Sequence, residues 1–129
     1  MARVRAVASV LILLASAMEQ PAAAQTPDCA APQTQLDMNF CAARAYRVAD
    51  GALNAAWGPA MAAQRAVSDI AADTLRRAQR AWIAYRDLAC EAEAMQYQGG
   101  SIQPLILSSC LERLTRQRTA DLTLLAENN

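Results

Sequence analysis

The chain contains no histidine and no lysine, and these two absences exclude several classes of protein. Without histidine there is no Cys/His zinc site, no histidine ligand for haem and no general base for the usual serine or cysteine triad. All 12 basic residues are arginines, and 12 acidic residues balance them. A nucleic-acid-binding surface is therefore not predicted, because such a surface needs an excess of basic side chains.

Long apolar runs are also scarce, and the one near the N-terminus has the features of a secretory signal. Residues 6–17 are apolar, follow two arginines and precede the small residues 22–24. The run is shorter than the roughly 20 residues that a spanning helix needs, so a cleaved signal over residues 1–24 is predicted rather than a stable membrane anchor. We expect residues 25–129 to form one domain, without a cofactor, that is periplasmic or secreted.

Four cysteines follow the predicted signal, at Cys29, Cys41, Cys90 and Cys110. An even number of cysteines in a small exported chain predicts two disulfides. A zinc site of four thiolates is the alternative, but there is no Cys-x-x-Cys pair and an oxidising compartment opposes it. Because the disulfides use every thiol, no cysteine nucleophile remains, and the chain is predicted not to be an enzyme.

Residues 32–129 are rich in Ala, Leu, Met, Gln, Arg and Glu, which predicts an all-α fold. Thr34 with Asp37 three residues later resembles a capping box, so the first helix is expected to begin near residue 34. Gly58 and Pro59 are expected to end or kink this helix, because proline lacks the backbone N–H that a helix interior needs.

A second helix is expected over residues 69–97, with Ser68 as its N-cap. Its buried side is predicted to consist of Ile70, Leu75, Ala78, Trp82, Tyr85, Leu88 or Ala89, and Met95. Gly99, Gly100 and Ser101 break the helical pattern, and Pro104 suits the first turn of a third helix. The sequence therefore predicts a small three-helix, up-down-up bundle stapled by two disulfides.

Four cysteines allow three pairings, and the helix order favours one of them. Cys90 and Cys110 lie at similar distances on either side of the glycine turn, so antiparallel helices would bring them to the same height. Cys29 would then pair with Cys41. Since Cys41 is also expected near the Cys90 end of the bundle, the crossed pairing remains a competitor.

Two of the predicted helices carry polar residues on faces that can meet. On the first helix this face consists of Asn39, Asp50, Asn54 and Trp57. On the second it consists of Gln79, Trp82, Arg86 and Cys90. If the faces meet, Asp50 and Arg86 are expected to form an ion pair, with the amides as hydrogen-bonding neighbours. Such a network either sets the helix register or forms a partly exposed recognition patch.

Gly99, Gly100 and Ser101 form the loop best suited to contact a partner. Glycine lets the backbone approach another surface closely, because it has no side chain beyond hydrogen. The other interpretation is that these residues only connect two helices.

The order of these motifs resembles that of a known family. The motifs are Asp28-Cys29, Thr34-Gln35-Leu36-Asp37-Met38-Asn39-Phe40-Cys41, Ala49-Asp50 with Leu53-Asn54, Ala78-Gln79-Arg80-Ala81-Trp82-Ile83-Ala84-Tyr85-Arg86-Asp87 with Cys90, Gly99-Gly100-Ser101, and Cys110 with Leu114-Thr115 and Arg118. In this combination residues 28–125 resemble the LprI-type lysozyme inhibitor family. The chain departs from its pattern at Asp37, where Glu is usual, and at Trp57, where Tyr is expected.

The resemblance implies an exported helical protein that binds lysozyme and blocks its cleft. The contacts would come from the loop at residues 99–101, or from Arg86 and the polar stripe if these are exposed. The alternative is a non-catalytic module that binds another envelope protein or a peptidoglycan fragment.

Overall fold

The computed structural model describes residues 26–127, which form three α-helices and, over that range, no strand. Helix α1 spans Gln35–Val67, α2 spans Asp69–Met95 and α3 spans Gln103–Glu127. The predicted all-α fold is therefore confirmed. The predicted signal at residues 1–24 lies outside the described residues, and no helix within them is long and apolar enough to cross a membrane.

Contacts between the helices establish the up-down-up order. Asn39, near the start of α1, reaches the backbone of Ser101 just before α3, so these two helices begin at the same end of the bundle. Cys90, near the end of α2, is bonded to Cys110 near the start of α3, so α2 runs in the opposite direction. Helices α1 and α3 share the most extensive contact.

Both preferred disulfide pairings are confirmed. Cys29 is bonded to Cys41 and Cys90 to Cys110, each with a Cα–Cα distance of 5.4 Å. The first ties the extended segment before α1 to the second turn of that helix. The second joins α2 to α3, so the crossed pairing is excluded.

The helix starts follow the predicted capping residues. The Asp37 N–H donates to Thr34 Oγ1 at 3.1 Å, and the Thr34 N–H donates to Asp37 Oδ2 at 3.0 Å, which completes a capping box. Ser68 ends α1 and begins α2, because its N–H donates to the Gln64 carbonyl while its Oγ accepts from the Ala71 N–H. One residue therefore makes the connection between two antiparallel helices.

Gly58 and Pro59 do not end α1, so of the two predicted outcomes, an end or a kink, the end is wrong. The helix continues through Pro59 to Val67. Ala60 and Met61, directly after the proline, are buried in the core with Leu122 of α3. Burial of these two side chains stabilises the continuous helix and offsets the loss of the backbone hydrogen bond that proline cannot donate.

The large core side chains gather at one end of the bundle, where α1 meets α2. The buried cluster there consists of Leu53, Ala60, Met61, Ala72, Leu75 and Leu122. At the other end, the buried residues are small and include Ala42, Cys90, Ala94 and Cys110. The disulfides therefore hold together the end that has the smaller apolar core.

The predicted buried side of α2 is only partly right. Leu75 is buried and Trp82 packs against the core, as expected. Four predicted core positions are exposed instead, namely Ile70, Ala78, Tyr85 and Met95, and of the alternatives Leu88 and Ala89 the leucine is exposed and the alanine half-buried. The disulfide explains the difference, because Cys90 faces α3 and lies about 160° around the helix from Leu88. Turning Cys90 inward turns the larger apolar residues outward.

Candidate functional site

A polar groove of about 250 Å³ lies between α1 and α2. Its lining consists of Asp50, Leu53, Asn54, Trp57, Gln79, Ile83 and Arg86. Five of the eight residues on the two predicted polar faces therefore meet, including both members of the predicted ion pair. The faces meet because Leu53, one turn from Asp50, is buried in the core and turns this side of α1 toward α2.

Arg86 is the centre of this groove. Its side chain is only 9% exposed, and its Nη1 lies 3.6 Å from Asp50 Oδ1. The Nη2 lies 2.8 Å from Asp87 Oδ1, and Nη1 also donates to Thr115 Oγ1 at 3.4 Å. The guanidinium thus contacts all three helices, which is the arrangement that a buried cation requires.

Two aromatic rings enclose the same guanidinium. The Arg86 Cζ lies 5.2 Å from the centroid of the Trp82 ring and 5.5 Å from that of Tyr46, within the range of cation–π attraction. Burial raises the pKa of Tyr46; Arg86 opposes this shift, while Asp50 and Asp87 add to it. With two rings, two carboxylates and a hydroxyl around it, Arg86 has little surface left for a partner.

The amide neighbours are arranged differently from the prediction. Asn54 Nδ2 donates to Asp50 Oδ2 at 3.4 Å, so this amide does belong to the ion-pair network. Gln79 lines the groove, but its Oε1 accepts from Arg118 of α3 at 2.9 Å. Asn39 is not in the groove. It shares a helix face with Asp50 but lies 11 residues earlier, roughly 16 Å along the helix axis.

Asn39 instead forms a hydrogen bond to the turn that connects α2 to α3. Its Nδ2 donates to the Ser101 carbonyl at 3.0 Å, and its Oδ1 accepts from Gln35 at 2.9 Å. Gly99 has φ +78°, a conformation that suits glycine, and its N–H donates to Gln103 Oε1 at 3.3 Å. The exposed turn is therefore held by one side chain from α1 and one from α3.

The same turn carries no charge. No acidic or basic residue occurs between Glu93 and Glu112, a segment that includes the whole turn. Its exposed residues are Gln96, Tyr97, Gln98, Gly99, Gly100 and Ser101. These residues offer amides, hydroxyls and backbone groups, which suit neutral hydrogen bonding.

Sequence reasoning missed several residues of the Arg86 network, namely Tyr46, Asp87, Thr115 and Arg118. Of these residues, Thr115 could have been identified from its position in the sequence. It lies on the leucine-rich face of α3, seven residues before the buried Leu122, where a polar residue suggests a buried hydrogen bond. No sequence signal pointed to Asp87, because its contact with the adjacent Arg86 depends on the orientation of the guanidinium group.

Over residues 26–127, no group of three or more acidic, cysteine or histidine residues is placed to hold a metal ion. In the same range, every buried polar side-chain atom has a hydrogen-bond partner. Fold and surface together define a small, disulfide-stapled helical domain that presents a fixed, neutral turn.

Comparison with known proteins identifies this domain further. The profile of the family described as lysozyme inhibitor LprI matches residues 27–122. The chain belongs to the LprI lysozyme inhibitor family, which confirms the resemblance. "Uncharacterized protein R02472" of Rhizobium meliloti (strain 1021) is 43% identical over 136 residues, which cover 96% of this chain and 97% of that relative. No solved structure gives a significant match.

Proposed function

We propose that this protein is exported by the signal at residues 1–24 and that residues 25–129 bind lysozyme, covering its catalytic cleft with the turn between α2 and α3. Membership of the LprI lysozyme inhibitor family is the observation that carries this proposal. Two disulfides support a location in the periplasm or outside the cell, because such bonds persist in oxidising compartments.

The chemistry of the turn supports its insertion into the cleft. Lysozyme acts with two carboxyl groups that flank the scissile bond. An acidic segment would be repelled there, whereas a neutral segment with hydrogen-bond donors is compatible with the site. The turn has no acid between Glu93 and Glu112, and the side chains of Gln98 and Ser101 supply donors at its exposed tip.

The rigidity of the turn supports the same assignment. The Gly100 N–H donates to the Tyr97 carbonyl at 2.9 Å, and the Gln103 N–H donates to the Gly100 carbonyl at 3.1 Å. Asn39 and the Cys90–Cys110 disulfide fix the flanking backbone. A preorganised segment loses less conformational entropy on binding, so more of its contact energy appears as affinity.

The environment of Arg86 argues against the groove as the principal contact. An arginine that inhibits by pairing with catalytic carboxylates must reach them with a free guanidinium. Arg86 is nearly buried and is already paired with Asp50 and Asp87. Its role is better explained by maintenance of the fold that positions the turn.

A cell-wall turbidity assay with purified, disulfide-bonded protein and c-type lysozyme tests the proposal. The wild-type protein should slow lysis. Gln98→Glu changes the turn by one negative charge at nearly constant shape and should weaken inhibition about tenfold, because one lost or repulsive contact of roughly 1.4 kcal/mol has that effect. Gln117→Glu, an exposed position on α3, makes the same chemical change away from the turn and should inhibit like the wild type.

The possible outcomes test separately whether the protein inhibits lysozyme and whether the turn makes the contact. If the wild-type protein does not slow lysis by c-, g- or i-type lysozymes at a large molar excess, lysozyme inhibition is rejected. Retrieval of another envelope protein without lysozyme in a pull-down would then favour the adaptor function. If inhibition occurs but Gln98→Glu and Gln117→Glu behave alike, the turn is not the contact.

A further inference from the structure

The outward side of α2 carries an exposed apolar stripe that the fold does not use. Its residues recur at intervals of three, four or seven over most of the stripe and are Ile70, Ala81, Ala84, Tyr85, Leu88, Ala92 and Met95. Leu88 is 67% exposed and Tyr85 is 62% exposed. From Ala81 to Met95 the stripe is continuous, whereas between Ile70 and Ala81 the same face carries Thr74 and Arg77. An exposed apolar stripe of this length on a small domain marks an interaction surface.

Charges of opposite sign lie along one edge of this stripe. Arg77 and Arg80 lie on its N-terminal half, and Asp87 and Glu91 lie on its C-terminal half. At 100° per residue, all four fall within about 80° of one another on the same side of the helix. Arg77 is paired with Asp73 and Asp87 with Arg86 on the same helix, whereas neither Arg80 nor Glu91 has an ion-pair partner in the described part of the chain. Each contact with a second copy would therefore give an unpaired charge a partner.

We propose that a second copy of this chain covers the stripe, with the two α2 helices antiparallel about a two-fold axis near Ala84. Such an axis sets each edge of α2 against the same edge of the second copy. Arg77 then faces Glu91 of the second copy and Arg80 faces its Asp87, and symmetry repeats both pairs. A parallel arrangement would instead set the charged edge against the apolar edge, so charge complementarity selects the antiparallel dimer.

The residues near the axis suit close helix packing. Ala81 and Ala84 are small, so the two backbones can approach closely, and Leu88 and Tyr85 then pack on either side of the axis. This interface does not include the turn at residues 99–101. The dimer is independent of lysozyme binding, and it would present two turns at opposite ends.

A neighbouring groove gives the arginines a place to bind. It lies between α2 and α3, measures about 420 Å³, and has Asp87 and Glu91 on its rim with Met95, Leu107 and Leu111 among its apolar residues. An arginine from the second copy can lay its aliphatic stem along the apolar side chains and pair its guanidinium with the carboxylates.

Sedimentation equilibrium of the purified, disulfide-bonded protein tests the dimer, using variants in which the charge of one ion-pair member is reversed. The wild-type mass should approach twice that of one chain as concentration rises. Arg77→Glu alone and Glu91→Arg alone each create two like-charge contacts and should raise the dissociation constant at least ~100-fold, since such contacts cost several kcal/mol. An equimolar mixture of these variants restores opposite charges at both contacts and should dimerise within about tenfold of the wild type.

A pair of leucine substitutions checks the location of the interface. Leu88→Glu should abolish the dimer, whereas Leu124→Glu, at an exposed leucine of α3, should leave it intact. Circular dichroism establishes that each variant is folded. A wild-type mass of one chain at every concentration overturns the proposal, as does a mixture of the charge variants that stays monomeric. Loss of the dimer in Leu124→Glu but not in Leu88→Glu overturns it as well.

Discussion

The Nη1 of Arg86 lies 3.6 Å from the Oδ1 of Asp50, and this pair joins α2 to α1 in the polar groove. The same Nη1 donates to Thr115 of α3, so one guanidinium links all three helices. Asp50 remains 42% exposed at its side chain, whereas Arg86 is nearly buried. Breaking the pair would therefore cost more free energy at Arg86, which would be left charged and buried, than at Asp50, which water can still reach.

Replacement of Arg86 by lysine should lower the free energy of unfolding by about 2–3 kcal/mol. Lysine keeps the charge but lacks the planar fork that reaches Asp50, Asp87 and Thr115 together. Urea denaturation at pH 7 measures the loss. Arg113→Lys, at an exposed pair with Glu93, should change stability by less than about 0.5 kcal/mol. Equal losses in the two variants would contradict a structural role for Arg86.

Acidification should weaken the start of α1 through Asp37. Hydrogen bonding by the Thr34 side chain lowers the pKa of Asp37; desolvation opposes this shift, and the N–H groups of Thr34 and Gln33 lower the pKa further. A carboxyl group with a depressed pKa in the folded state stabilises the protein above its unfolded pKa, near 3.9, and loses that contribution as pH falls through the folded pKa.

Asp37→Asn should therefore be less stable than the wild type at pH 7, and the difference should shrink as pH falls below about 4. Thermal unfolding over that pH range measures it. Asp37→Glu keeps the charge and the usual capping-box acid, so it should retain the pH dependence. A constant difference between Asp37→Asn and the wild type at all pH values would refute the capping contribution.

The two disulfides should contribute unequally to stability. The chain-entropy model gives about 3 kcal/mol for each, since their cysteines are separated by 12 and 20 residues. Cys90 and Cys110 are also fully buried, so replacing both with alanine should cost about 1 kcal/mol more through lost packing. Urea denaturation of the two double-alanine variants compares them, and an equal or larger loss from removing Cys29 and Cys41 would be the contrary result.

Gly51→Ala should stabilise the protein by about 0.5–1 kcal/mol, because glycine in a helix interior has an entropic cost. Gly51 lies inside α1, and a Cβ there meets no atom within 4 Å. Gly99→Ala is the matched control. Its φ of +78° strains any residue with a side chain, so this variant should lose about 1 kcal/mol. Thermal unfolding should move in opposite directions for the two substitutions.

Local signals predicted the helix starts and much of the polar groove. Thr34 and Ser68 act through atoms within four residues, which sequence spacing captures. Asp50 and Arg86 were paired correctly because a small bundle has few ways to satisfy a buried guanidinium. Cys90 and Cys110 were paired correctly because the turn between them fixes the height of two antiparallel helices.

Features that depend on distant contacts were not predictable in this way. Pro59 stays inside α1 because residues far along the chain bury Ala60 and Met61. Leu88 is apolar but exposed, and an apolar stripe does not by itself say whether it covers a core or another protein. Asn39 was placed on the correct face but at the wrong height, since angular position carries no information about which neighbour lies at that level.

The unequal ends of the bundle have a consequence for the order of assembly. Large apolar side chains can collapse at the Leu53 and Leu122 end in any compartment, while the end bearing the turn depends on bonds between sulfur atoms. Those bonds form only where an oxidant is present. A newly made chain would therefore complete the end that bears the turn last, after its cysteines have been oxidised.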